Sequence, residues 1–190
     1  MLLRLTGVVA LVAAAVLLMR PAPASGPASA PPHASAADPS GLAVVGNTAS
    51  PRALPIPDGF RVRVPRLLID LPIAEGIVER DIQEQRTPEG FAFHLPGTVV
   101  PGERGNAYLY SHARVGMFLS LWDVRVGDEI QITTPDARTL TYVVSEVRPR
   151  VAPDDVSVVQ PTPDERLTLQ TSTGPSPSDP RFVVIALPRP

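Results

Sequence analysis

A chain of 190 residues with 17 basic and 19 acidic side chains and a net charge of −2 has room for one ordinary domain and an appendage. The near balance of charge, with no Arg-rich run, removes the clustered positive potential that a nucleic-acid partner would need. The sequence has no cysteine, which excludes disulfides, thiolate metal sites and a thiol nucleophile.

Leu5 to Met19 is an apolar run interrupted only by Thr6 and Gly7, preceded by Arg4 and closed by Arg20 and Pro21. A spanning helix needs about 20 apolar residues, so residues 1–20 are expected to be a signal peptide or a membrane anchor, with the membrane held through residues 5–19. Either way the remainder is expected outside the cytoplasm, because Arg4 lies on the short side of the apolar run. Residues 21–59 carry nine of the 24 prolines amid Ala, Ser and Gly. Such a composition buries too little apolar surface to offset ordering entropy, so this stretch reads as an extended, disordered tether. The folded domain is therefore expected over residues 60–190.

Within that domain Arg61-Val62-Arg63-Val64 alternates polar and apolar residues, and Pro65 to Ile73 continues as an extended, proline-punctuated stretch. Further strands are expected at Ala107–Tyr110, Glu129–Thr133, Thr139–Val147, Leu167–Thr171 and Arg181–Ala186, each bounded by Gly, Pro, Asp or Asn. Helical signals are weak: a short piece around Asp81–Gln85, and a turn or two over Met117–Trp122, where Phe118, Leu121 and Trp122 could face the core together. Arg148 to Glu165 reads as a long, proline-rich, acidic loop with one apolar patch at Val156-Ser157-Val158-Val159. These elements imply an all-β domain, a mostly antiparallel barrel or sandwich.

Three segments then fall in a telling order. Pro96-Gly97-Thr98, Pro101-Gly102-Glu103 and Gly105-Asn106 precede a strand ending in Ser111-His112. From Phe118 the chain reads F-L-x-L-x-x-x-x-x-G-D-x-I. Leu167-Thr168-Leu169-Gln170-Thr171-Ser172 is followed by Arg181-Phe182-Val183-Val184. Over residues 61–187 the chain resembles a sortase, a bacterial cell-surface transpeptidase. The resemblance implies a closed barrel of about eight strands with one or two short helices, a groove for a sorting-type peptide, and a catalytic set of His112, Ser172 and Arg181. Ser172 stands where the family motif T-L-x-T-C has its nucleophilic cysteine, and Ser111 stands where the family usually has glycine. Thr171, Val156 and Val158 are the substrate-binding residues the resemblance implies. The partners it implies are a peptide sorting signal and an amine acceptor of the cell wall or of a surface protein.

A thiolate forms readily beside an imidazolium and a guanidinium, whereas an alcohol stays protonated and must pass its proton to a correctly oriented base during attack. The expectation is a transpeptidase or hydrolase acting on a C-terminal sorting-type peptide, impaired because Ser172 replaces the cysteine. The alternative is a pseudoenzyme, an inactive sortase-like module that binds peptide or cell wall. Glu103, Asp123, Asp154, Asp155 and Asp179 are the carboxylates that could orient His112. His94, in Phe91-Ala92-Phe93-His94, has no motif around it and reads as structural or exposed. It is separated from His112 by 17 residues with no carboxylate cluster at ligand spacing, so neither a metal nor another cofactor is expected.

Overall fold

A computed structural model of the chain describes residues 54–84 and 86–190. The signal peptide or anchor expected over residues 1–20, and the expected tether as far as residue 53, lie outside the described residues. No helix among the described residues is long and apolar enough to cross a membrane.

Eight strands follow in chain order: β1 (Arg61–Val64), β2 (Ile69–Glu75), β3 (Ala92–His94), β4 (Asn106–Tyr110), β5 (Glu129–Thr133), β6 (Thr139–Val151), β7 (Arg166–Ser172) and β8 (Arg181–Pro188). They close into a barrel in the order β1-β2-β3-β4-β7-β8-β6-β5, with β5 returning to β1. The β2–β3 and β4–β7 pairs are parallel and the other neighbours antiparallel. Alternation fills the interior: Val62, Val64, Leu71, Ile73, Leu109, Ile130, Ile132, Leu167, Leu169 and Val184 all belong to the main apolar cluster.

β4, β7 and β8 are covered on their outer faces as well. Tyr108, Tyr110, Val183 and Ile185 form a second cluster there with Phe93, Leu95, Val151 and Val158. Burial on both faces explains why Arg181-Phe182-Val183-Val184-Ile185-Ala186 is buried throughout and reads as an unbroken apolar run after its arginine.

Four expectations are revised. β3 has only three residues and little pattern of its own; it is held by β2 on one side and β4 on the other. Pro65–Leu67 is a 3-10 turn that separates two strands. β6 continues past Val147 to Val151 along β8, through two register shifts of which the second spans Pro149, so the long loop is only residues 152–165. Packing also begins before residue 60: Ile56 is buried, and its N–H donates to Glu75 Oε2 at 2.9 Å.

Trp122 is a fifth correction. The turn Leu119–Asp123 is 3-10, so Phe118 and Leu121, three apart, share the core face, while Trp122 is turned out and 42% exposed. The helical piece expected near Asp81 is a single π-helical turn, Glu79–Gln83.

Candidate active site

The end of β4, the end of β7 and the turn carrying Trp122 meet at a cavity of about 370 Å³. His112, Arg114, Leu119, Trp122, Ser172 and Gly174 are among its walls, so two side chains 60 positions apart in sequence share one concave surface. The parallel β4–β7 ladder brings them together, pairing Tyr110 with Gln170 and thus delivering the residues just beyond each strand to the same edge. Ser111 locks that edge: its N–H donates to Gln170 O at 3.2 Å, and its own carbonyl accepts from Thr171 Oγ1 at 2.9 Å. Trp122 Nε1 donates to the carbonyl of Ser172 at 3.2 Å, which fixes the indole as a wall of the cavity. A second, apolar cavity of about 540 Å³, bounded by Leu67, Leu68 and Val115, shares Leu119 and Trp122 with the first.

His112 Nε2 lies 3.0 Å from the carbonyl oxygen of Thr87. A carbonyl only accepts, so Nε2 carries a proton in that bond, and in the neutral ring the lone pair is then on Nδ1. None of the carboxylates in the described residues is hydrogen-bonded to His112. Asp155 instead caps Ser157 N at 2.9 Å, and Asp179 accepts from Ser176 N at 2.7 Å.

Arg181 is the register partner of Ser172 across the β7–β8 ladder, so the two side chains start from the same face. The guanidinium is fully buried, donating through Nη1 to Asp179 O at 2.9 Å and through Nη2 to Pro177 O at 2.8 Å. It thereby pins the loop between β7 and β8, whose Thr173, Gly174 and Pro175 line the cavity. Its Nε–H and the Nε2 of Gln170 are buried without a partner among the described residues. Burial lowers the pKa of this guanidinium, and the nearby Tyr108 and Asp179 partly restore it. A Cβ at Gly174 would lie 2.3 Å from Asp179 Oδ2, so a larger residue there would have to displace the Asp179 side chain.

A family model of the sortase domain matches residues 62–189. The chain belongs to the sortase family. Among solved structures it is similar to sortase A of Corynebacterium diphtheriae in a lid-mutant form, with 27% identity and a TM-score of 0.60 over 74% of each chain. It is also similar to sortase C1 of group B Streptococcus pilus island 1, with 27% identity and a TM-score of 0.59 over 70% of this chain and 64% of that one. Sortase C-1 of Actinomyces oris is 25% identical, with a TM-score of 0.58 over 70% of this chain and 75% of that one. No curated protein matches the sequence.

In this sortase domain His112 and Ser172 share a cavity, and the buried Arg181 holds the loop that borders it. The other three expected site residues lie elsewhere. Thr171 points inward and is fully buried. Val158 is buried in the outer cluster, its carbonyl held by Asn106 Nδ2 at 2.9 Å and Arg166 Nη2 at 3.1 Å, and Val156 opens the same short turn half-buried. None of the three lines the His112–Ser172 cavity. The sequence reading missed Thr87, which acts through its backbone, and Trp122, whose outward aspect follows from the three-residue spacing of Phe118 and Leu121.

Proposed function

We propose that this chain is a slow, serine-dependent acyltransferase or hydrolase of sortase type, acting at a bacterial cell surface on a sorting-type peptide. The single observation that carries the reading is the shared cavity of His112 and Ser172. Ser172 Oγ would attack the peptide carbonyl as its proton passes to His112. The C–N bond then breaks, the leaving amine takes that proton from His112, and an ester on Ser172 remains. An acceptor amine, or water, cleaves the ester and regenerates the hydroxyl.

Arg181 would contribute its positive charge to the developing oxyanion from beneath Ser172. The joined cavities offer an apolar trough with His112 and Ser172 at one end. Cysteine would perform the same attack faster, because serine must lose its proton within the transition state.

The test is acyl transfer from a panel of pentapeptides to an amine, comparing the natural chain with Ser172→Cys and Ser172→Ala. The expected order is Cys well above Ser, and Ser above the Ala blank. A Cys variant that labels with a thiol probe yet turns over no peptide would replace this reading with the inactive binding module.

A further inference from the structure

The three residues Ser111, His112 and Arg114 are tied to one short segment, residues 86–91, that no motif marks. Thr87 O accepts from His112 Nε2 at 3.0 Å, Glu89 pairs with Arg114, and Phe91 O accepts from Ser111 Oγ at 2.7 Å. The segment is anchored upstream as well. Arg86 N donates to Arg80 O at 2.9 Å, and Arg80 holds the fully buried Asp81 carboxylate, with its guanidinium 5.0 Å above the Phe93 ring. Asp81 in turn accepts from Tyr110 Oη at 2.6 Å and from Ile77 N at 3.0 Å.

We propose that residues 86–91 form a backbone clamp that fixes His112 as the Nε2–H tautomer, leaving Nδ1 to exchange the proton with Ser172. Ser111 is the positioning residue that holds the clamp. This rests on the acyl-transfer reading of the site and says how a serine can serve there.

A neutral imidazole is useful to an alcohol only if its lone pair faces the hydroxyl, and the partner of the other ring nitrogen decides that. In Ser-His-Asp sites a carboxylate does so, and loss of the correct tautomer costs about 10⁴-fold in rate. A carbonyl orients the ring equally well but places no negative charge beside the imidazolium formed during attack, so the arrangement supports turnover at a reduced rate. Ser111 then has a reason to stand where the family usually has glycine, because glycine has no hydroxyl to hold Phe91. The two departures from the family pattern, at residues 111 and 172, become one coupled change.

The test is a long-range proton–nitrogen correlation spectrum of the ¹⁵N-labelled full chain in detergent at alkaline pH, where its three histidines are neutral and His112 is assigned by His112→Gln. His112 is expected as the Nε2–H tautomer. Ser111→Ala is expected to show a mixture of tautomers, with kcat on the best pentapeptide down about 10-fold or more and KM within about two-fold. An Nδ1–H tautomer in the natural chain overturns the proposal. So does a loss of kcat in Ser111→Ala with the tautomer unchanged. Should no peptide be turned over at all, the acyl-transfer reading fails, while the tautomer of the natural chain still decides the clamp.

Discussion

The two histidines of the domain occupy opposite situations. His94 is fully buried, with Nδ1 2.7 Å from Glu75 Oε2 and Nε2 3.0 Å from both Thr98 Oγ1 and Val99 O. It has the carboxylate partner that a hydrolytic histidine would want, yet both ring nitrogens are engaged. Among the described residues His112 has only a carbonyl partner, on one nitrogen, and its ring borders a cavity that also holds a hydroxyl. On the proposed reading, the unspent nitrogen of His112, and what it faces, is what sets it apart from the structural His94. His94 ties β3 to β2 and to the turn at Thr98, while Glu75 extends the tie to Ile56 at the entrance of the domain.

The comparison can be broken by exchanging the consequences. His112→Ala is expected to lower peptide turnover by about 10³-fold or more while shifting stability by less than about 1 kcal/mol, measured as initial rates and urea unfolding. His94→Ala is expected to do the reverse. Leaving Glu75 and Thr98 without their buried partner should cost about 2–4 kcal/mol, with residual activity scaling with the folded fraction. If His94→Ala lost turnover at full stability, the division between the two sites would be wrong.

Acid unfolding sharpens the contrast on the side of the clamp. Burial acts to raise the pKa of the Asp81 carboxyl, but hydrogen bonds from Arg80, Tyr110 and Ile77 N outweigh it and leave the group below its ordinary value of 3.8. A depressed carboxylate gives stability that is fully present above the unfolded value and is lost as pH falls through the folded one. Asp81→Asn should therefore remove part of the stability loss seen below about pH 4, in unfolding followed by circular dichroism. Smallest is Trp122→Phe. It deletes one partly exposed hydrogen bond to the Ser172 carbonyl, about 0.5–1.5 kcal/mol. Its readouts are Tm and loss of the emission of the chain's only tryptophan.

How much of this was legible in the sequence depended on side chains. Glu129-Ile130-Gln131-Ile132-Thr133 alternates cleanly and is β5, and the apolar run after Arg181 is the doubly covered β8. β3 was hidden because three residues cannot show a period, and neighbouring strands supply its hydrogen bonds. That His112 and Ser172 would share one cavity was readable from motif order. The partner of His112 was not, since a carbonyl at Thr87 leaves no trace in residue type. Val158 carries the right chemistry for a groove wall but lies under Asn106 and Arg166, a burial that only the folded β6–β7 connection creates.

The central claim is that Ser172 is an acyl acceptor served by His112, and the covalent intermediate tests it most directly. The natural chain, Ser172→Ala and His112→Ala would each be incubated with the best pentapeptide, quenched in acid and analysed by mass spectrometry with peptide mapping. The account predicts an ester adduct on Ser172 in the natural chain, none in Ser172→Ala and a much slower adduct in His112→Ala. An adduct mapped to another residue, or one that forms equally fast without His112, would contradict it.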